Sequence, residues 1–426
     1  MPGFSSIFPP ERKVVVLDGG MGTTLQAPPF ELGLDSALWS SELLATEPGR
    51  AQLDKLHRTW VDAGADVVET CTYQSTLPLF LGDRTSPSSA EIDASLQTMV
   101  SALPLACASC SSGSRPTPTG GAAVALSLGP YGSSLQPGQE YTGAYPPPFG
   151  PAATAAADAK PACSSAALQA VPLPLDAVRA LGVGSASDEE LHLAAWHLQR
   201  LEHFASVGAP TWDAGIKLLA FETVPSVTEI LAIRRGVAAF RSSRPATADK
   251  PFYISLVFPR DTNHSADDAE APVRFPDPAL SHLPNLASQL PTLAQALFAV
   301  PREGDSAAYA SPDGVGFNCT SPLRAAEVVR GLSSATLEQL AADAATQNKP
   351  WFFLYPDGGA IYDVVSRSWH HPAGLTDSAW AALVADAAGI ARESGAWGGV
   401  GVGGCCKAGP GAIRELRKEV ERRGWR

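Results

Sequence analysis

The sequence predicts an α/β fold, a (β/α)8 TIM barrel with long inserts in several loops. Three observations carry that expectation. Eight short, β-rich apolar runs recur along the chain, each ending in glycine or polar residues. The runs are almost continuously hydrophobic, as strands buried on both faces of a parallel sheet are. Helical patterns lie between several of them, and alternating strands and helices build parallel sheets. A doubly wound open sheet is the alternative assembly of the same parts.

The runs are 14–20 (VVVLDGG), 65–73 (ADVVETCTY), 123–132 (AVALSLGPYG), 216–224 (IKLLAFETV), 252–259 (FYISLVFP), 314–322 (GVGFNCTSP), 351–359 (WFFLYPDGG) and 397–406 (WGGVGVGGCC). After the first, residues 50–63 place Leu53, Leu56, Trp60 and Ala63 on one helical face, and Gly64 stops the helix. Further helical patterns cover 189–207, 226–240, 321–333 and 377–394. A last one begins near Pro410 and carries its basic residues late, as a helix C-terminus prefers.

A barrel of this type needs roughly 250 residues, and this chain has 426. The excess is assigned to inserts at about 81–121, 146–185 and 260–312. The second contains a Pro/Ala/Ser-rich stretch, the composition of a flexible segment. Glycine (38) and proline (37) together make about one residue in six, below the level of a low-complexity chain.

Lysine plus arginine number 31 against 43 acids, a net charge of −12 without any basic run. Nucleic acid and anionic membranes are therefore excluded as expected partners. No cationic, apolar leader pattern and no apolar run of spanning length occurs in the sequence. The expected compartment is the reducing cytoplasm, with the seven cysteines as free or metal-bound thiols. Oligomeric state is not encoded in these patterns.

The strongest local signal is Gly403-Gly404-Cys405-Cys406 ending the eighth run, with Asn318-Cys319 ending the sixth. Catalytic groups of such barrels sit at the C-terminal ends of strands, and strands of equal parity share a layer. Cys319 can thus face Cys405 and Cys406. Neighbouring side chains on a regular strand point oppositely, so both can converge only if the backbone leaves extended geometry; Gly403 and Gly404 permit that. Three converging thiolates make a zinc site with an open fourth position. Small buried apolar cysteines, or a vicinal disulfide, satisfy the same spacing. The CxxC at Cys107 and Cys110, without a second pair, is read as a decoy, and His370-His371 as a solvated turn.

Asp18 ends the first run beside Gly19, Gly20 and Gly22, where backbone N–H groups can approach a ligand; a capped tight turn is the plainer reading. Glu222 follows IKLLAF, and a carboxylate there is costly to bury unless used or paired. Glu69 and Asp357 are weaker candidates of the same kind. The triplets at Asn318 and Asn263-His264-Ser265 are discounted as glycosylation sites.

Together these motifs resemble the homocysteine S-methyltransferase family. The matching stretches are LDGGMGTTLQ, GADVVETCTYQST, LSLGPYG with EYTGAY, LLAFETVPSVTEI, GVGFNCTSP, the YP of YPDGG, and GVGGCC. The resemblance runs in order from residue 14 to about 415, so one barrel domain over 1–426 is expected. It implies zinc on Cys319, Cys405 and Cys406, with Asp18 and Glu222 on the amino-acid part of homocysteine; backbone N–H groups of Gly19 and Gly20, or the N-terminus of the last helix, suit its carboxylate, and Asn318 is a further expected substrate contact. The implied reaction moves a methyl group from S-methylmethionine or S-adenosylmethionine to homocysteine, giving methionine. Tyr73, Tyr131 or Trp212 could wall the sulfonium cation by cation–π attraction, with a place in the core the equal alternative for each. Other expectations consistent with the motifs are another thiol or selenol acceptor such as selenocysteine, or a non-catalytic zinc- or thiol-binding barrel. The sequence departs from the family at Ala360, near a position where the family often carries an acid.

Overall fold

The computed structural model describes residues 3–8, 13–111, 121–151, 158–244, 249–261, 271–299, 306–342, 349–363, 368–370 and 374–425. Eight strands form one parallel sheet: β1 (Val14–Val16), β2 (Val67–Glu69), β3 (Ala123–Leu128), β4 (Ile216–Val224), β5 (Phe252–Val257), β6 (Gly314–Asn318), β7 (Trp351–Tyr355) and β8 (Val400–Val402). Their hydrogen-bonded order is β1-β8-β7-β6-β5-β4-β3-β2. The circle closes where Leu17 bridges Val67 in parallel. At that seam the Asp66 N–H donates to the Val16 carbonyl at 2.6 Å, and Val16 N–H donates to the Asp66 carboxylate at 3.0 Å. The expected barrel is therefore the observed fold, and the open doubly wound sheet is not.

A ring of helices surrounds the strands: α1 (Glu47–Ala63), α2 (Ala102–Ser111), α3 (Asp188–Ala205), α4 (Val227–Ser242), α5 (Leu286–Phe298), α6 (Ala325–Ala342), α7 (Asp377–Glu393) and α8 (Pro410–Arg422). The Thr46 hydroxyl caps α1 by accepting from Gly49 N–H at 3.1 Å, and Gly64 ends it at φ +107°. Ser187, Ser226 and Thr376 cap α3, α4 and α7 in the same way. From α8, Arg417 reaches the buried Asp66 at 2.9 Å, so the last helix pins the closing seam.

Two ring helices lie inside segments read as inserts. Ser89–Val100 and α2 occupy much of 81–121, and α5 lies within 260–312. Their sequences hide them. ALPLACASCS is apolar or small all round and shows no helical period, while α5 carries Pro291 in its interior. Within 146–185, Lys160–Pro161 pairs with Leu135–Gln136 upstream in a two-residue ladder, and Ser165–Ala170 and Leu175–Arg179 form short helices. Asn263-His264-Ser265 and His371 lie outside the described residues.

The barrel interior is filled by Val15, Leu17, Val67, Ala125, Leu218, Ala220, Tyr253, Phe353 and Tyr355. Tyr253 and Phe353 stack with centroids 4.1 Å apart. Gly316 on β6 makes room, since a Cβ there would collide with the Phe353 backbone. Below this layer Phe4 packs on Phe353 at 5.0 Å and Phe8 on Trp351 at 5.2 Å, closing the N-terminal end. Chemistry is thereby directed to the opposite, C-terminal mouth. Among the described residues no helix is long and apolar enough to cross a membrane.

Candidate active site

The Sγ atoms of Cys319, Cys405 and Cys406 lie within 4.8 Å of one another, the one group of potential metal ligands found among the described residues. Cys319 and Cys405 are joined as a disulfide, with Cα atoms 5.5 Å apart, and Cys406 is a free thiol. The bridge thus runs between strand ends and is not the vicinal pair. β6 ends at Asn318, and Cys319 turns into the left-handed region at φ +46°. After β8 the backbone leaves the ladder: Gly404 N–H donates to the Asp18 carbonyl at 3.0 Å, Cys405 N–H to Pro356 at 2.8 Å, and Ala408 N–H back to Cys405 at 3.0 Å. That turn brings adjacent cysteines together.

The glycines act through space, not through positive φ. A Cβ at Gly403 would meet Leu17 Cβ at 2.7 Å, and one at Gly404 would clash with Ala408. The left-handed residue of the turn is Lys407, at φ +65°. Gly20 is similarly confined, with the Cys405 carbonyl 2.5 Å from where its Cβ would stand. Its N–H already donates to the Ala408 carbonyl at 3.0 Å, so it belongs to the turn. Gly19 packs against Ala408 and the Trp60 ring.

Asn318 ties the mouth together. Its Oδ1 accepts from Thr223 N–H and from the Ser255 hydroxyl, both at 2.8 Å. Its Nδ2 donates to Thr223 Oγ1 at 2.7 Å and to Cys405 Sγ at 3.8 Å. Both ends of the amide are therefore engaged by the protein. Thr223 sits at φ +58°, a conformation that a β-branched residue adopts only when its surroundings impose it. Two left-handed non-glycine residues, at the ends of β4 and β6 on either side of β5 and joined through Asn318, mark a site where geometry is held against local preference.

At the same barrel mouth stand three carboxyls, Asp18 and Glu222 buried and Glu69 half-buried. Asp18 accepts from Glu69 N–H at 2.9 Å and is only 2 % exposed. The Ser127 hydroxyl donates to Glu222, which is 5 % exposed and also meets the Glu69 carboxyl. Glu69 accepts from the Tyr253 hydroxyl at 2.9 Å. Burial first, and then the charge of Glu69, hold Asp18 and Glu222 well above the usual carboxyl range. Burial pushes Glu69 itself up to about 7.

Burial likewise pushes Asp357, after β7, up to about 7; its carboxylate accepts from Gly359 N–H at 2.8 Å. Glu140, in the loop after β3, is pushed up to about 7, and its Oε2 is buried without a hydrogen-bond partner. Tyr73 lies at the mouth, near Thr223, Glu222 and Glu140. Tyr131 is instead stacked on Phe149 at 3.9 Å, and Trp212 precedes β4, buried against Phe240. Both of these are core residues. Cys107 and Cys110 lie on α2, Cys71 is buried, and Ala360 is buried beside the Asp357 loop. Sequence reasoning did not identify Ser127, Ser255 or Thr223, which show only as ordinary strand residues.

A family model described as Homocysteine S-methyltransferase matches residues 15–420. The chain belongs to the homocysteine S-methyltransferase family. It is 25% identical to the Homocysteine S-methyltransferase of Escherichia coli over 410 residues, covering 96% of this chain and 95% of that protein. It is 26% identical to Homocysteine S-methyltransferase 1 of Zea mays, covering 96% and 94% of the two chains. Among solved structures, the metallated form of the homocysteine methyltransferase MmuM from Escherichia coli matches with TM-score 0.52 and 21% identity, over 95% of this chain and 96% of that one. The oxidized form matches with TM-score 0.51 and 22% identity, over 96% and 99%. These two likenesses support the barrel.

Proposed function

We propose that this chain transfers a methyl group from a sulfonium donor, S-methylmethionine or S-adenosylmethionine, to homocysteine, giving methionine. The observation that carries this reading is the convergence of three cysteine sulfurs within 4.8 Å, beside buried carboxyls at the barrel mouth. The donor set suits zinc: three sulfurs and an open side fit a tetrahedral ion with one exchangeable position. Burial pushes the Cys406 thiol up to about 12, so thiolates form there only against a compensating cation. All three must be reduced for this, which means opening the Cys319–Cys405 bridge.

Cys319, Cys405 and Cys406 would hold the ion, which supplies Lewis acidity that keeps a fourth, substrate sulfur deprotonated at neutral pH. The remaining work belongs to the chain. Asp18 and Glu222 pair with the homocysteine ammonium. The N-terminus of α8, whose N-cap Gly409 has no capping side chain, receives the carboxylate. Asn318 fixes Cys405 and the strained Thr223 and so sets the sulfur geometry. Tyr73 faces the donor's cation, an attraction of about 0.5–2 kcal/mol that is lost as the sulfonium becomes a neutral thioether. The thiolate displaces the thioether at the methyl carbon; the C–S bond to the donor breaks as the new one forms.

The test is a donor panel with reduced, zinc-loaded protein, homocysteine as acceptor and methionine as readout. Product with S-methylmethionine or S-adenosylmethionine supports the reading. Absence of product with every sulfonium donor contradicts it.

A further inference from the structure

Resting on the proposed amino-acid site, we infer that Glu69 and Glu222 share a proton in the empty barrel and release it when a substrate ammonium binds. Glu69 is thereby a positioning and selectivity residue. The geometry starts from three strand ends. β2 delivers Glu69 between Asp18, just past the end of β1, and Glu222 of β4, and the Glu69 and Glu222 carboxyls meet. Two carboxylates in contact in a buried setting cannot both stay ionised; one proton between them converts repulsion into a hydrogen bond.

The neighbours of Glu69 supply no cation. The groups facing it are Asp18, Glu222, Tyr253, Tyr355 and, from α1 behind β2, His57, held neutral by burial with a pKa near 4. Arg200 reaches Glu222 only at range, because its guanidinium is committed to the carbonyls of Ser75, Gly129, Thr72 and Tyr73. The Tyr355 hydroxyl faces the same carboxyls, is buried, and has no hydrogen-bond partner of standard geometry. The cluster therefore offers carboxyl oxygens that no protein cation pairs, and a substrate ammonium can take the place of the shared proton. Binding replaces one O–H···O bond by ammonium N–H···O bonds, and the proton goes to solvent. Burial pushes Glu69 up to about 7, and burial with the charge of Glu69 holds Glu222 well above the usual carboxyl range, so the empty pair keeps a proton at neutral pH.

L-Methionine is the probe, because it carries the ammonium and carboxylate without a thiol proton. Calorimetry in two buffers of different ionisation enthalpy at about pH 6 counts the released protons. Wild type should release close to one, and its methionine affinity should fall toward tenfold for each unit of acidification below about 7. Glu69→Gln, which keeps the Tyr253 bond, should release almost none and bind with a flat pH profile. Glu69→Asp should restore the slope. A flat wild-type profile, or an unchanged slope in Glu69→Gln, overturns the inference. So does failure of methionine to bind protein that carries out methyl transfer. Proton-coupled methionine binding by a protein that makes no methionine would overturn the proposed function and leave this inference standing.

Discussion

Asn318 makes four hydrogen bonds with one amide, two of them to a threonine held in a left-handed conformation. Removing that amide should loosen Cys405 and release Thr223 together. Asn318→Ala is expected to weaken zinc affinity by about 10–100-fold, the usual effect of losing a group that orients a ligand, measurable by chelator competition. Glu222→Gln tests a different part of the site. It keeps shape but removes the charge facing the ammonium, worth about 1.5–3 kcal/mol for a charged hydrogen bond. The homocysteine KM should rise by about 10–100-fold while kcat stays within a few-fold. At this scale the sequence was legible where chemistry is rare. Cysteine pairs and acids after apolar strands stand out, and the structure brings Cys319, Cys405 and Cys406 together and buries Asp18 and Glu222. Asn318 was legible as part of the site, but its engagement with Thr223, Ser255 and Cys405 depends on strands far apart in the chain. The same holds for Ser127, whose hydroxyl is ordinary until β3 and β4 are adjacent.

The turn from Gly403 to Ala408 is the element that makes two adjacent cysteines useful. Its carbonyls and N–H groups are tied to Asp18, Gly20 and Pro356, and its glycines fit because neighbouring atoms occupy the space of a side chain. Gly404→Val should push against Ala408 and Trp380. Circular dichroism should show the barrel retained, while bound zinc falls well below one per chain. The eight strands were visible as apolar runs because parallel strands are buried on both faces and need no alternation. Six ring helices announced themselves by amphipathic period. Of the other two, α2 is apolar or small on every side and shows no period, whereas α5 has the period but carries Pro291 in its interior, a residue that argues against a helix. Segments 81–121 and 260–312 were thus read as inserts although they carry helices of the ring.

The whole molecule is sealed at one end and chemically equipped at the other. Phe4 and Phe8 plug the N-terminal end against Trp351 and Phe353. Phe4→Ala should cost about 3–5 kcal/mol, read as a lowered thermal midpoint, with the remaining folded protein turning over normally. The acids of the mouth impose a second global property. Glu69, Glu140 and Asp357 have folded pKa values near 7, above those of an unfolded chain, so their neutral forms favour folding. Their contribution is fully present below the unfolded values and is lost as pH rises through about 4.5 to 7. Metal-free protein should therefore melt at progressively lower temperature across that window, and Glu69→Gln should flatten the decline. The measurement that bears most directly on the central claim is methionine formation from homocysteine and a sulfonium donor by reduced, zinc-loaded protein, alongside Cys406→Ser prepared identically. The expected result is turnover by the wild type and none above the uncatalysed rate in the variant. Equal turnover by both, or none by the wild type with any sulfonium donor, would contradict it.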